Sequence, residues 1–256
     1  MTLERPNIVL MVADDHGLDT KSYGNPVIKT SHLDALAQDG VIFTNAFCTT
    51  ASCAASRSVI LTGLYNHANG AYGHTHGCHH FACFDDVVTL PTLLNEAGYR
   101  TARVGKMHYA PESIFPFQEG HPAGMFGRDD VRMSEACREF VRGFDALSAT
   151  QPKGDKPFFL YWCSHNPHRG GGRLETHPCK PDRFGNPDKP FPGDEEMTYD
   201  DEEVFVPPYL PDTPETRAEL AQYCQSVSRL DRGVGRLMQI LKQEGKYDNT
   251  VIIYIS

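Results

Sequence analysis

Apolar runs recur along this chain at wide intervals, separated by helical periodicities and turn-rich loops. Asn7-Ile8-Val9-Leu10-Met11-Val12-Ala13, Lys156-Pro157-Phe158-Phe159-Leu160-Tyr161-Trp162-Cys163 and Thr250-Val251-Ile252-Ile253-Tyr254-Ile255-Ser256 are nearly continuous and rich in β-branched or aromatic residues. Runs without polar alternation predict strands buried on both faces, as in a parallel or mixed sheet covered by helices. Thr101-Ala102-Arg103-Val104-Gly105 reads as a further strand and Val41-Ile42-Phe43 as a short one. Between them the period lengthens. A helix is predicted over residues 30–40 with Leu33, Leu36 and Ala37 inward, and another runs from a cap at Ser52 or Cys53 to Gly63. Thr89 to Gly98 is a third, with Leu90, Leu93 and Leu94 inward, and a fourth lies near Ser134 to Arg142. Thr213 caps a long one beginning at Pro214, with Leu220, Tyr223, Val227, Leu230, Val234, Leu237 and Leu241 on one side and Gly245 as its stop. Strands alternating with helices predict an α/β fold, a mostly parallel mixed sheet sandwiched by helices, as one domain over residues 1–256. No internal repeat interrupts it.

Composition narrows the function. The chain has 256 residues, 40% of them apolar and 22% charged, as in an ordinary globular domain. A net charge of −9 argues against a nucleic-acid partner, which needs clustered Lys and Arg, but leaves room for a small anion met by a few basic groups. No run is long enough to cross a membrane. Residues Met1 to Pro6 lead straight into a strand without a signal-peptide core, so the expected location is cytoplasmic, or periplasmic or secreted if a leader was removed. No Asn-x-Ser/Thr site occurs. The eight cysteines form no CxxC pair, and most are expected to be reduced and structural.

Candidate chemistry sits at strand ends and at one helix start. Asp14 and Asp15 follow the first strand, where α/β sheets place ligands. Like charges so close are either solvated or neutralised by a cation, and oxygen donors suit Ca²⁺ or Mg²⁺. Cys53 lies at a helix N-terminus, and Arg57 follows one turn along the same face, which fits a nucleophile or an anion site equally. Lys106 and His108 end another strand, two apart, so both side chains can face one pocket. His165, His168 and Arg169 follow the 156–163 strand. His67, His74, His76, His79 and His80 crowd one Gly-rich segment with Cys78; zinc is the lesser reading, since the spacing fits no standard pattern, and a polar loop at the site mouth is the preferred one. Residues 109–150 carry no recognisable chemistry. Residues 170–215 read as a long loop with a solvated acidic run at Asp194-Glu195-Glu196.

The stretch Cys53-Ala54-Ala55-Ser56-Arg57-Ser58-Val59-Ile60-Leu61-Thr62-Gly63 resembles the sulfatase signature, Cys-x-Pro-Ser-Arg followed by three variable residues and Leu or Met-Thr-Gly, with Ala55 in place of proline. Gly105-Lys106-Met107-His108 and the Phe-Phe-Leu-Tyr strand before His165-Asn166-Pro167-His168 are similar to further family elements, and His79-His80-Phe81 with Thr89-Leu90-Pro91-Thr92-Leu93-Leu94 resembles the N-sulfoglucosamine sulfohydrolase (sulfamidase) branch. The resemblance implies an alkaline-phosphatase-like fold and an enzyme, a sulfuric ester or sulfamate hydrolase acting on a sulfated sugar, as in heparan sulfate degradation; a carbohydrate or aryl O-sulfate is the alternative. It implies that Cys53 is oxidised to formylglycine, the nucleophile, by a maturation enzyme, with Ala55 pointing to the radical type of anaerobes. It assigns Ca²⁺, ahead of Mg²⁺, to Asp14, Asp15 and residue 53. Arg57 and Lys106 then bind the sulfate, His165 is the general acid and His108 assists sulfate release, or the two histidines exchange these roles; His168 and Arg169 are second choices that could brace the loop instead. A phosphoester or phosphonate hydrolase of the same superfamily is the enzymatic rival. In the family the last strand is followed by Asp-Asn-Gly, two of whose residues complete the metal shell; Asp248 and Asn249 precede that strand here and are expected to form a turn. The chain is therefore expected to be an N-terminal part of a family member, and an inert fragment is the non-enzymatic alternative.

Overall fold

A computed structural model describes residues 5–122, 124–145, 148–152, 156–193, 195 and 197–256. The strands are β1 (Asn7–Val12), β2 (Arg100–Gly105), β3 (Glu119–Gly120), β4 (Phe144–Asp145), β5 (Ser148–Pro152), β6 (Phe158–Cys163) and β7 (Thr250–Ile255). The helices are α1 (Ser31–Asp39), α2 (Cys53–Thr62), α3 (Asn66–Asn69), α4 (Leu90–Glu96), α5 (Asp130–Glu135), α6 (Arg138–Arg142) and α7 (Pro214–Gln243). Five strands form one parallel sheet in the order β3-β2-β6-β1-β7, while β4 and β5 make a separate antiparallel pair.

The apolar runs explain the layering. Alternate residues of β1 and β6 go to opposite faces. Val9, Met11, Phe158, Leu160 and Trp162 pack with Leu230, Val234, Leu237 and Ile240 of α7. Leu10, Val12, Phe159, Tyr161 and Cys163 pack on the other face with Leu61 of α2 and with Tyr99 and Met107. Each fully buried side chain of this size contributes about 1.5–3 kcal/mol of transfer free energy, so the two faces together hold β1 and β6 at the centre of the sheet. α7 and α5 meet where a Cβ on Gly233 would lie 2.4 Å from the Asp130 Cβ, an approach that only glycine permits. Ser134 Oγ donates to the Gly233 carbonyl at 2.7 Å and accepts from Trp162 Nε1 at 3.0 Å, tying α5 to both α7 and β6.

Register brings the strand ends level. Val12 pairs with Cys163 and with Ile255, and Gly105 pairs with Cys163. Backbone hydrogen bonds continue one residue further, from Lys106 N to Cys163 O at 2.8 Å and from Ser164 N to Val12 O at 3.0 Å. Asp14, Lys106 and His165 therefore leave the sheet at one edge, the carboxyl edge of a parallel sheet.

Several local expectations change. Val41, Ile42 and Phe43 form no strand and are 79%, 38% and 70% exposed; a three-residue strand without a partner gains no ladder hydrogen bonds. β7 is an edge strand rather than a buried one, with Val251 and Ile253 half exposed, because it pairs with β1 alone. Leu93 points outward at 52% exposure, and α4 stops at Glu96, short of Gly98. The single helix expected near 134–142 is two short ones, α5 and α6. Asp248 and Asn249 lie in a 3₁₀ turn, as expected. The N-terminal residues 1–4 and, apart from Glu195, the acidic run 194–196 lie outside the described residues.

Candidate active site

Asp14 is the pivot of the sheet edge. It is 3% exposed, and its two carboxylate oxygens face two cations: Arg57 Nη2 lies 3.4 Å from Oδ1, and Lys106 Nζ is bonded to Oδ2. Burial works against the charge on Asp14, but Lys106 and then Arg57 outweigh it and hold the carboxyl below its ordinary range. Arg57 is itself 2% exposed and also donates from Nη1 to the Lys106 carbonyl at 3.3 Å. Asp15, the next residue, turns outward with a left-handed φ of 68° and stands 3.6 Å from His168 Nε2. Adjacent aspartates thus have opposite environments, one sealed among cations and one at the solvent edge.

Cys53 opens α2 as the sequence predicts. Ser52 is the N-cap, but its side chain makes no capping hydrogen bond. Arg57, one turn further on, reaches from the same helix to Asp14. A cleft of about 200 Å³ joins the two elements, lined by Asp14, Asp15, Ser52, Cys53, Ser56 and Arg57. The sulfur is half-buried and open to this cleft rather than sealed in hydrocarbon.

Lys106 and His108 do converge on the site, but not by simple strand alternation. Gly105 has a φ of +84°, and a Cβ there would lie 1.9 Å from the Cys163 carbonyl oxygen. His108 has a left-handed φ of 54°. The backbone therefore turns sharply after β2, sending Lys106 to Asp14 and His108 to the histidine-rich loop, where His76 Nδ1 lies 2.8 Å from His108 Nε2. Burial first, then Lys106 and His76, push His108 down to about 4. Burial, then Lys106 and Arg128, push His165 down to about 4 as well. Both rings are therefore neutral at pH 7 and can accept a proton or a metal.

The loop after β6 is held by residues that sequence reasoning passed over. Asp130 of α5 accepts from Ser164 Oγ at 2.7 Å and from Asn166 Nδ2 at 2.7 Å. Burial nevertheless pushes Asp130 up to about 6, against those hydrogen bonds. Arg128 donates to the carbonyls of His165 at 2.9 Å and His168 at 2.7 Å, and Arg229 of α7 donates to Asn166 Oδ1 at 2.8 Å. Arg128 and Asp130 lie in the stretch 109–150, whose sequence carried no recognisable motif. His168, a second choice from sequence, joins the acid pair, whereas Arg169 pairs with Glu219 at 2.8 Å and braces the loop.

Two groups of metal-type donors emerge among the described residues. Asp14, Asp15 and His168 place one ligand atom each within 4.8 Å of one another, and so do Cys53, His74 and His108. Two carboxylates fit part of the oxygen shell that a hard divalent cation prefers, and for such a cation to bind Asp14 it must displace Lys106 or share the carboxylate with it. The sulfur groups with the histidines and shares a cleft with the acids.

Comparison with known proteins identifies the family. The family model described as Sulfatase matches residues 6–256. Human N-sulphoglucosamine sulphohydrolase is 39% identical over 258 aligned residues, covering 98% of this chain and 50% of that protein. An N-acetylglucosamine-6-O-sulfatase of Bacteroides thetaiotaomicron is 40% identical over 111 residues, 43% of this chain and 19% of that protein. Among solved structures, BT4656 in complex with its substrate D-glucosamine-2-N,6-O-disulfate superposes with a TM-score of 0.67 at 22% identity, covering 98% of this chain and 65% of that one. The phosphonate monoester hydrolase of Agrobacterium radiobacter superposes with a TM-score of 0.63 at 20% identity, over 98% and 62%. These structural likenesses speak for a shared fold, and the chain spans about half the length of the human relative. With the signature on α2, the matching strand-end residues and a family match across nearly its whole length, the chain belongs to the sulfatase family.

Proposed function

We propose that this chain carries the sulfate-binding half of a hydrolase that releases sulfate from an N-sulfated glucosamine, with Cys53 converted to formylglycine and Ca²⁺ held by Asp14 and Asp15. The observation that carries the reading is the convergence of Arg57, Lys106 and the acid pair on the cleft at Cys53, together with 39% identity to the human sulfohydrolase over 98% of the chain. When present, the cation supplies positive charge against the sulfuryl oxygens, and the hydrated aldehyde supplies the attacking oxygen.

The chain's own residues do the rest. Asp14 holds Arg57 in place, and Lys106, displaced from that carboxylate or sharing it once the cation is bound, turns its charge toward the sulfuryl oxygens, so two cationic donors stand where negative charge builds. His165 is kept neutral first by burial and then by the Lys106 and Arg128 cations, which outweigh the opposing charge of Asp14. A bound sulfuryl anion offsets those cations and raises the His165 proton affinity, so the ring can carry a proton to the leaving nitrogen or oxygen. His108, beside residue 53 and backed by His76, takes up a proton as sulfate is released.

A carbohydrate O-sulfatase is the second reading, supported by the 40% match to the Bacteroides 6-O-sulfatase. Parallel turnover assays with N-sulfoglucosamine, glucosamine 6-O-sulfate and a phosphate monoester, using the longest native form of the protein, separate the two. Release of sulfate from the N-sulfated sugar at the highest kcat/KM is the expected result. Preference for the 6-O-sulfate would replace the first reading with the second, and preference for the phosphate ester would remove both.

A further inference from the structure

The histidine-rich loop leaves more imidazole around Cys53 than sulfate chemistry uses. Cys53 Sγ stands 3.9 Å from His74 Nδ1, and these two with His108 bring one ligand atom each within 4.8 Å. The rings of His74 and His108 lie near-parallel at 5.9 Å, and His76 sits 4.8 Å from His108 and 5.0 Å from His74. His76 Nδ1 engages His108 Nε2 at 2.8 Å, whereas the buried His108 Nδ1 has no hydrogen-bond partner among the described residues. A buried ring nitrogen without a partner costs free energy unless something occupies it.

We propose that the unconverted, thiol form of this chain has a second metal site, selective for a thiophilic divalent cation such as Zn²⁺, built from Cys53, His74 and His108, with His76 orienting His108. The site goes beyond the sulfate chemistry proposed above and does not depend on it, because it concerns the form in which residue 53 is still a cysteine. Zinc–sulfur and zinc–nitrogen distances of about 2.3 and 2.05 Å at tetrahedral angles put sulfur and nitrogen about 3.6 Å apart. The observed 3.9 Å separation therefore needs only a small inward movement of either side chain. Three protein ligands leave the fourth position open to water, as in a catalytic rather than a structural zinc site. The donor chemistry differs from that of the acid pair: sulfur and imidazole suit zinc, carboxylates suit calcium. Binding transfers the thiol proton to solvent and forms a thiolate–metal bond, with no change of oxidation state. Oxidation of Cys53 to an aldehyde removes the sulfur, so the same event that creates a formylglycine abolishes this site. The cation would occupy the cysteine before maturation and exclude alkylating or oxidising reagents from it.

The test uses the full 256-residue chain produced without any formylglycine-generating enzyme, with no sulfated substrate present, so its outcome is separate from that of the turnover assays. Zn²⁺ is titrated against a competing chelator, and Co²⁺ serves as an optical probe of sulfur ligation. The expected result is one equivalent of Zn²⁺ and a thiolate-to-cobalt charge-transfer band. Cys53→Ser removes the band and weakens zinc by at least about tenfold, His74→Ala weakens it by a similar factor, and Cys78→Ser in the same loop changes neither. With the unsubstituted protein, zinc should slow alkylation of Cys53 by iodoacetamide, read by peptide mass, which covers the case of a variant that folds poorly. A band that survives Cys53→Ser, undiminished zinc affinity in His74→Ala, or alkylation of Cys53 indifferent to zinc would overturn the site.

Discussion

Replacing Asp14 by asparagine tests the electrostatic centre of the site. The carboxylate is 3% exposed and Arg57 is 2% exposed, so neither partner of the pair can turn to water. At 3.4 Å and an effective dielectric of about 20, the gross attraction is about 5 kcal/mol. Lys106, 13% exposed, adds a second contact with the same carboxylate. The amide of the Asp14→Asn variant would keep an oxygen acceptor but lose the charge, leaving Arg57 and Lys106 to face each other uncompensated. Removing one partner of a buried pair costs about 3–5 kcal/mol, and the retained acceptor places Asp14→Asn near the lower end, about 3 kcal/mol. The pH dependence has a definite sign. The folded-state value of Asp14 is lowered, so its contribution is present above the ordinary aspartate value of 3.8 and is lost as pH falls through the lower folded value. The gap between wild type and Asp14→Asn should therefore be full at pH 7 and close in acid. Calcium adds a second readout. At a concentration of about 100 times Kd it should stabilise the wild type by about 2.7 kcal/mol and the variant by almost nothing. Urea denaturation at pH 7, with and without calcium, measures both effects. If Asp14→Asn is as stable as wild type and keeps the calcium increment, the carboxylate neither neutralises Arg57 nor holds the cation.

Further outcomes follow from other contacts. Gly105→Ala would place its Cβ 1.9 Å from the Cys163 carbonyl in a left-handed conformation, so it should cost about 3 kcal/mol or more and lower Tm by roughly 10 °C; a calorimetric Tm within about a degree of wild type would show that the turn after β2 tolerates a side chain. Asp231 of α7 accepts from the backbone N–H of His32 at 3.1 Å and of Leu33 at 2.7 Å, capping α1 from across the fold. Asp231→Ala should cost about 2 kcal/mol in chemical denaturation and Asp231→Asn about half that, whereas an Ala variant as stable as wild type would remove the cap. His108 and His165, held at about 4, should remain neutral in NMR titrations of the anion-free, metal-free protein well below the ordinary value near 6.5, and added sulfate should raise both. Because the unfolded chain takes up these protons first, stability should fall as pH drops from about 6.5 to 4. Either ring titrating near 6.5 without an anion would contradict the burial and the cations assigned to it.

The sheet was legible because β1 and β6 lie at its centre, where burial on both faces writes an unbroken apolar run into the sequence. β7 carries a similar run but lies at the edge, and a sequence does not show which neighbours a strand will have. Residues 41–43 and Leu93 departed from expectation for the same reason: local propensity was right for burial, but tertiary packing offered no surface there. In the site, Asp14, Cys53 and Lys106 stood out because each sits at an element end, and Arg57 because it lies one helical turn from Cys53. Arg128, Asp130 and Asn166 were not, because their role lies in gripping a loop whose position depends on α5 and α7 packing together. His74 and His76 stood out by composition alone; the turn at Gly105 and the left-handed His108 bring His108 against that loop, and the contact of His74 with the sulfur is visible in the fold alone.

The proposed hydrolase stands or falls on residue 53 as the nucleophile of a sulfate-releasing site. The most direct test is the intact mass of the peptide containing Cys53, taken from protein purified out of its native host and shown to release sulfate. An aldehyde or its hydrate in place of the thiol, in proportion to activity, is the expected result. A fully active preparation with an unmodified cysteine at position 53 would contradict it.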